Sequence, residues 1–248
     1  MIKELSPHEL NGMLNTQAVI VNDDTLKLCL NELVLTITRE SGTIKIAASY
    51  PTLSPLLKSS FEQMGNEVKW DDSCHLEFQA GVPDRPLAVF LKETLQLLPN
   101  QEIFFYLTIP MTLKLCLNGT LFAEYPTSIL SKTWLGEPAA GVNAYALNTL
   151  VKHNPPPPEY NKFKAVTKLT VVNHSAKILP LTKLILQMKD YAIFRNRKQP
   201  LLRLSDTTCV VTADKPPVLT SSQPESSQSS YELLQAKQNT GTMWLPFK

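Results

Sequence analysis

Short runs of alternating apolar and polar residues are the feature that most constrains the fold of this chain. Leucine alternates with lysine or cysteine from Leu26 to Leu30, and the same period continues through Leu33–Thr38 and Ile44–Ile46. Successive side chains of a strand point to opposite faces, so this period predicts β-strands with one buried face. Turn residues at Asn31-Glu32 and Glu40-Ser41-Gly42 predict hairpins between them. Further strands are predicted at Cys74–Gln79, Leu87–Leu91, Glu102–Thr108, Thr112–Leu117, Lys162–Val172, Lys177–Lys189, Tyr191–Arg195, Thr207–Val211, Tyr231–Gln235 and Thr242–Leu245.

Helix is predicted to be scarce. The chain has 19 prolines and only 8 glycines, and proline interrupts helices and internal strand ladders alike. A short helix is predicted near Ser6–Leu10, with Ser6 as N-cap and Pro7 at the first position, and a second at Leu56–Met64. The predicted fold is therefore all-β, with two packed antiparallel sheets in a jelly-roll or sandwich-like arrangement and little helix.

The chain is predicted to form one domain. Its 248 residues are 43% hydrophobic, which is enough to bury a large core, and all-β domains of about 250 residues are common. Pro155–Pro158 predicts a stiff crossover between sheets, and the Ser- and Gln-rich segment Thr220–Ser230 predicts a flexible loop. We therefore expect a single β-sandwich-like domain over residues 1–248, with a flexible loop at 220–230.

The cellular location is predicted from two features that the sequence lacks, a signal peptide and a membrane-spanning segment. Met1–Leu10 lacks the apolar core of a signal peptide, and no window reaches the ~18 apolar residues of a membrane span. We expect a cytoplasmic protein without a transmembrane segment of its own. Its cysteines are widely spaced and form no CxxC pair, which predicts reduced thiols and no zinc site; they are Cys29, Cys74, Cys116 and Cys209.

No motif of a familiar enzyme class occurs in the sequence. GxSxG, GxxxxGK[ST], GxGxxG, HExxH and calcium-loop patterns are all absent. The neighbours Cys74 and His75 would point to opposite faces of a strand and could not converge on one ion. No catalytic residue, metal site or cofactor is predicted, and the chain is not expected to be an enzyme.

Positive charge is concentrated in the second half of the chain. Between Lys162 and Arg203 there are ten basic residues and one acidic residue, Asp190. If two strands of this region pair as a hairpin through a turn at Asn173–Ala176, six lysines share one face, and Pro180 favours an edge position for the second strand. The six are Lys162, Lys164, Lys168, Lys177, Lys183 and Lys189. Such a face is either solvated surface that blocks edge aggregation or a docking surface for an acidic partner or anionic lipid; nucleic acid is the less favoured ligand.

The segment LGEPAAG, which begins at Leu135, is a second candidate partner site, together with Trp134 directly before it. Gly136 and Gly141 bracket Pro138, so the backbone there is expected to need a conformation that side chains forbid. The alternatives are a structural corner where the chain changes sheets and a loop shaped to receive a partner.

The residues from Leu130 onward resemble an uncharacterised prokaryotic all-β family, a domain of unknown function. The resemblance lies mainly in the Lys132–Gly141 segment and the tail Met243-Trp244-Leu245, and extends loosely through Leu169–Asn173 and Leu184–Met188. The chain departs from the family pattern after Gly141. The family residues are Lys132, Trp134, Leu135, Gly136, Pro138 and Gly141. The resemblance implies an accessory of a membrane protein, with a membrane channel as a candidate.

The predicted function is a non-catalytic interaction or accessory protein that docks on another macromolecule, a protein first of all, in the cytoplasm or peripherally at the membrane. The alternative is an enzyme or a carbohydrate-binding module with a site between the sheets. In that alternative Trp70, Trp134 and Tyr145 would be the stacking surfaces.

The heptapeptide TLKLCLN occurs twice, at Thr25–Asn31 and at Thr112–Asn118. The flanking residues do not align, which favours chance recurrence of a leucine-rich strand over internal duplication. Both copies are expected to place their cysteine on the face opposite the leucines.

Overall fold

A computed structural model describes residues 2–18, 24–53, 66–69, 75–137, 141–157, 163–199, 201–213, 215–224 and 230–238. Within these ranges the chain is built almost entirely of strands, which confirms the all-β prediction. The predicted helix at Leu56–Met64 and the predicted strand at Thr242–Leu245 lie outside the described residues.

Within the described residues the α-helix is α1 (Pro7–Met13), and there are twenty strands. The first ten strands are β1 (Ile2–Leu5), β2 (Gln17–Ala18), β3 (Thr25–Leu30), β4 (Leu33–Glu40), β5 (Thr43–Ser49), β6 (Asn66–Lys69), β7 (Leu76–Gly81), β8 (Leu87–Leu97), β9 (Glu102–Pro110) and β10 (Thr112–Leu117). The other ten are β11 (Thr120–Pro126), β12 (Ser131–Leu135), β13 (Val142–Thr149), β14 (Lys164–Asn173), β15 (Leu179–Leu186), β16 (Ile193–Asn196), β17 (Leu202–Leu204), β18 (Asp206–Val211), β19 (Val218–Ser222) and β20 (Tyr231–Gln235).

The beginning of α1 agrees with the sequence-based prediction. The backbone N–H of Glu9 donates to the Ser6 hydroxyl at 3.2 Å, and the N–H of Ser6 donates to the Glu9 carboxylate at 2.8 Å. This reciprocal capping box satisfies two N–H groups that the first turn leaves without a helical partner. Pro7 occupies the first turn, where its missing N–H costs nothing.

The chain divides into two compact units, and neither is a continuous segment. The first comprises Met1–Gly81, Pro110–Ile129 and Glu159–Phe163. The second comprises Val82–Ile109, Leu130–Pro158 and Lys164–Lys248. That the whole chain folds as a single β-sandwich-like domain stays a prediction, which an unfolding experiment can test.

The first unit contains two sheets, with strand orders β1-β3-β4-β5-β6 and β11-β10-β7-β2. Two-residue turns with positive φ close its hairpins, at Ser41-Gly42 (φ 44° and 77°) and Asn118-Gly119 (φ 49° and 77°), as the right-handed twist of hairpin strands favours. In the first of these sheets, β3, β4 and β5 bury every second side chain. The Tyr50 hydroxyl, which is also buried, donates to the carbonyl of Pro126 at 2.8 Å.

The second unit also contains two sheets. The third sheet of the molecule has the order β12-β13-β8-β15. The fourth sheet has seven strands, with β14 paired to β9, β17 and β18. The described residues thus form four sheets instead of the two antiparallel sheets predicted, and β1–β3, β8–β13, β14–β17 and β14–β18 are parallel pairs.

The predicted basic hairpin is wrong, because β14 and β15 belong to different sheets. The side chain of Asn173, which ends β14, is fully buried and donates from Nδ2 to the carbonyls of Leu97 (3.0 Å) and Lys177 (2.8 Å). Its Oδ1 accepts from the N–H of Ser175 at 3.0 Å. These bonds form a corner instead of a hairpin turn, and β15 then pairs antiparallel with β8. β15 lies at the end of the third sheet, so the edge position predicted from Pro180 is confirmed.

Two further loop predictions have different outcomes. The segment containing Pro155–Pro158 connects β13 in the third sheet to β14 in the fourth, so a crossover between sheets is confirmed. The predicted loop at 220–230 begins too early, because Thr220–Ser222 pairs with β18 as part of β19. Val218, Thr220 and Ser222 lie on one face of β19, and the β-branched Val218 and Thr220 favour a partly exposed edge strand despite the polar composition.

Candidate functional site

The six lysines of the predicted basic face do not form one surface. Lys164 and Lys168 lie on the same face of β14, because they are four positions apart along a strand and side chains on one face recur every two positions. Lys183 lies in β15 of the third sheet, opposite Phe90. Lys177 precedes that strand, Lys189 lies in a single 3-10 turn at Met188–Asp190, and Lys162 lies outside the described residues.

Trp134, directly before the LGEPAAG segment, is held in place by Glu137 and Gly141 of that segment. Trp134 lies near the end of β12, and its indole N–H donates to the carbonyl of Glu137 at 3.3 Å. Gly136 has a φ of +91°, which an L side chain would strain. A Cβ atom on Gly141 would collide with the indole ring and lie 2.6 Å from the carbonyl oxygen of Leu135. The structure therefore explains why glycine occurs at both positions. Pro138 between them lies outside the described residues.

Although its backbone surroundings fix the indole, Trp134 remains 46% exposed. Large apolar side chains can be exposed singly without consequence, so the exposure alone decides nothing. Whether Trp134 belongs to a larger surface depends on its neighbours on β12 and β13.

The strand register places four side chains on one face. Lys132 is paired with Tyr145, and Trp134 with Asn143, across the antiparallel β12–β13 pair. Directly opposed residues share a face, so Trp134 and Tyr145 are diagonal neighbours. Of the three aromatic residues considered for a stacking site, the structure thus brings two together on one sheet, while Trp70 lies outside the described residues.

Tyr145 is held by two residues that precede β8. Its hydroxyl donates to Asp84 at 2.9 Å, and the Arg85 guanidinium lies 5.6 Å from its ring centroid. Asp84 and Arg85 also form an ion pair at 3.5 Å. Partial burial, followed by the hydrogen bond to Asp84, raises the pKa of Tyr145, so the phenol stays protonated and keeps donating at neutral pH.

We call the group Lys132, Trp134, Asn143, Tyr145 and Arg85 the Trp134 surface. It has one exposed indole, a phenol covered by a guanidinium, and polar side chains around them. The sequence predicted Trp134 as a partner-binding residue and Trp134 and Tyr145 as stacking residues, whereas Lys132 was singled out by the family resemblance alone. Asp84 and Arg85 were not predicted from the sequence. They lie in a turn before β8, and no local sequence pattern shows that the parallel pairing of β8 with β13 brings this turn to Tyr145.

Other kinds of site receive no support from the residues that the structure describes. Over these residues, no three His, Cys, Asp or Glu side chains are grouped as they would need to be to hold a metal ion. Cys29, Cys116 and Cys209 are free thiols, and Cys74 lies outside the described ranges. In the described part of the chain, no helix has both the length and the apolar character needed to cross a membrane.

Comparison with known proteins gives a family without a function. No curated protein and no solved structure matches the chain. The model of one family, described as "Protein of unknown function (DUF432)", matches residues 17–243. This match covers nearly the whole chain and confirms the expected kinship to an uncharacterised family, so the chain belongs to the DUF432 family.

Proposed function

We propose that this protein is a non-catalytic accessory protein that docks on a partner protein through the Trp134 surface. The observation that supports the proposal is the exposed indole of Trp134, fixed by its hydrogen bond to Glu137 and by close packing against Gly141. A side chain already held in place loses little conformational entropy when a partner covers it.

The composition of the Trp134 surface matches that of protein interfaces. Trp, Tyr and Arg are the residues most often found to dominate binding energy, and they lie at the centre of a patch with a polar rim. Here Trp134 is the apolar centre, and Lys132, Asn143 and Arg85 supply polar groups around it. The partner that fits is a protein with an apolar pocket able to receive an indole.

For the partner's location we propose the cytoplasmic face of a membrane. The resemblance through Lys132–Gly141 implies an accessory of a membrane protein, and a channel is the candidate that it suggests. The accessory protein itself would then be cytoplasmic and bind peripherally.

A carbohydrate-binding or enzymatic site is the alternative. Sugar rings stack on open aromatic faces, and Trp134 and Tyr145 do share one face of the sheet. However, Tyr145 is only partly exposed and its hydroxyl is hydrogen bonded to Asp84, which leaves the more exposed Trp134 as the open platform of the pair. This arrangement favours a protein anchor over a sugar platform.

The test compares two exposed strand residues. Trp134→Ala removes the anchor, and Leu121→Ala, in β11, removes a side chain that is 53% exposed in the first unit. Each variant and the wild type are used to capture proteins from native lysate and from detergent-solubilised membranes. Circular dichroism and urea unfolding establish that each variant is folded.

We expect a partner that wild type and Leu121→Ala retain equally and that Trp134→Ala retains at least ~30-fold less tightly, as for an interface anchor worth ~2 kcal/mol. Equal retention of every captured protein by all three forms would exclude the Trp134 surface as the docking site. Loss of binding to an immobilised glycan in Trp134→Ala, with no protein affected, would favour the alternative.

A further inference from the structure

A second surface, on the fourth sheet, combines one exposed aromatic side chain with partly exposed aromatic and basic side chains. Phe104 and Tyr106 are two residues apart on β9 and lie on one face, and Phe104 is 42% exposed. β9 pairs with β14, whose outward side chains include Lys164 and Lys168. We call these four residues the Phe104 surface.

The contacts within the Phe104 surface are specific. The Lys168 ammonium lies 5.1 Å from the centroid of the Phe104 ring, a distance at which a cation is attracted to an aromatic face. Tyr106 meets Phe104 edge-on, with 6.3 Å between ring centroids. His153 also meets Phe104 edge-on at 6.4 Å, and its Nδ1 lies 3.1 Å from the Phe104 carbonyl oxygen.

The charge of this surface is positive. Lys164 and Lys168 contribute two cations, and Arg203 lies beside Tyr106 with its guanidinium 5.8 Å from the ring centroid. Asp206 is hydrogen bonded to Arg203 at 2.6 Å, so these two charges compensate each other. Glu102, at the exposed beginning of β9, is an acidic residue on the same face of that strand.

We propose that the Phe104 surface binds single-stranded nucleic acid. Open sheet faces that bind single strands combine aromatic rings, on which bases stack, with lysines that contact the phosphates. Phe104 is the stacking residue, and Lys164 and Lys168 lie about 13 Å apart along β14, a spacing that can serve phosphates of the same strand. An acidic peptide would explain the lysines but not the exposed ring.

The proposal is tested by fluorescence anisotropy of labelled, unstructured 12-nucleotide probes, oligo(U) and oligo(dT), with the full chain at 50 and 200 mM salt. Phe104→Ala should weaken binding at least about 5-fold, the lower end for one stacked base. Lys168→Glu should weaken it and lower the salt dependence by about one counterion. Lys164→Glu with Lys168→Glu is the further variant should Phe104→Ala fail to fold.

Matched controls lie elsewhere in the second unit. Leu98→Ala removes an apolar side chain that is 56% exposed, and Lys183→Glu reverses a lysine of the third sheet; both should bind as wild type does. Trp134→Ala should also leave probe binding unchanged, which separates this proposal from docking through the Trp134 surface. The inference is overturned if wild type binds neither probe at 50 mM salt, if Lys168→Glu binds like Lys183→Glu, or if polyglutamate displaces the probes as effectively as unlabelled oligonucleotide.

Discussion

Close packing of Gly141 against the Trp134 indole is the residue-scale feature on which the docking surface depends. An added methyl group at Gly141 would overlap the ring and the backbone of Leu135, so Gly141→Ala must displace one of them. Overpacking of this kind costs about 1–3 kcal/mol. We expect Gly141→Ala to lower the urea midpoint and to weaken capture of the partner.

Gly12 provides the control for this prediction. It lies in α1 and nothing stands within 4 Å of the position of an added Cβ. Alanine is the better helix former by about 1 kcal/mol, so Gly12→Ala should keep or raise the midpoint. The same midpoint for the two variants would mean that Gly141 does not support the indole.

Two buried tyrosines are expected to lower the free energy of unfolding at alkaline pH. Tyr191 is buried, and its hydroxyl oxygen accepts a hydrogen bond from the Thr207 hydroxyl at 2.7 Å. Burial raises the pKa of Tyr191 well above its usual value, and burial likewise raises that of Tyr50. The folded chain therefore holds protons that the unfolded chain releases near pH ~10.

The sign of the pH dependence follows from this difference in proton binding. The stabilising contribution is complete below pH ~10 and decreases above it, by up to about 1.4 kcal/mol per pH unit for each buried tyrosine. Urea unfolding at pH 8, 10 and 11 should show a falling free energy of unfolding. Tyr191→Phe should show a shallower fall; an equally steep fall would assign the effect to other groups.

At the scale of elements, an ion pair stabilises the break between β17 and β18. Both strands run along β14, and Asp206 at the break accepts hydrogen bonds from Arg203 Nη2 at 2.6 Å and from the backbone N–H of Lys168 at 3.2 Å. The two charged side chains are only 8% and 9% exposed. Removing one partner of such a pair leaves a buried charge uncompensated.

Asp206→Ala is therefore expected to destabilise the fold by about 3–5 kcal/mol in urea unfolding. The control is Glu232→Ala, in β20, which removes a more exposed ion pair with Arg195 whose side chains are 16% and 38% exposed. That change should cost about 1 kcal/mol or less. Comparable losses in the two variants would contradict the role assigned to Asp206.

At the scale of the whole molecule, the path of the chain predicts cooperative unfolding. The backbone passes between the two compact units five times, after Gly81, Ile109, Ile129, Pro158 and Phe163. Neither unit can therefore be separated as a continuous segment, and unfolding of one removes the anchoring of segments in the other.

We expect one calorimetric transition, with hydrogen exchange in peptides from both units reaching the same global limit. Peptides from β4 and β14 would represent the two units. Two resolved transitions, or a stable proteolytic fragment ending near Pro158, would show that the chain contains two domains.

The sequence predicted most strands and two of the turns because those depend on local patterns. Alternation identified β3, β4 and β10, and Ser6-Pro7 identified the beginning of α1. Local patterns do not determine which strands become neighbours. The assignment of β15 to β8 instead of β14 depends on the buried amide of Asn173, whose acceptors include Leu97, 76 residues away in sequence.

Both candidate surfaces show the same limit. The exposure of an aromatic side chain within Phe104–Tyr106 is predictable, since three successive residues of a strand cannot all point into the core. The position of the Phe104 ring beside Lys168 is not predictable, because β9 and β14 are far apart in sequence and only their pairing brings the ring to the ammonium.

The repeated TLKLCLN separates the two kinds of information directly. Both copies form a strand, β3 or β10, and both end at an asparagine with positive φ, 52° at Asn31 and 49° at Asn118. The local sequence was sufficient for that much. In β3 the burial alternates strictly and Cys29 is partly exposed, whereas in β10 Cys116 is buried beside Leu115.

The expectation that both cysteines lie on the face opposite the leucines holds for both copies, because β10 keeps a constant register with β7, in which Leu115 is opposite Phe78 and Cys116 is opposite Glu77. The two copies differ in how far that face is buried. The β10–β11 pair contains a register shift between Leu115 and Cys116, with the extra residue in β11, and the β3–β4 pair contains none among its described residues. An identical sequence thus determines strand and turn through its own backbone preferences, and the neighbouring strands decide which of its side chains are buried.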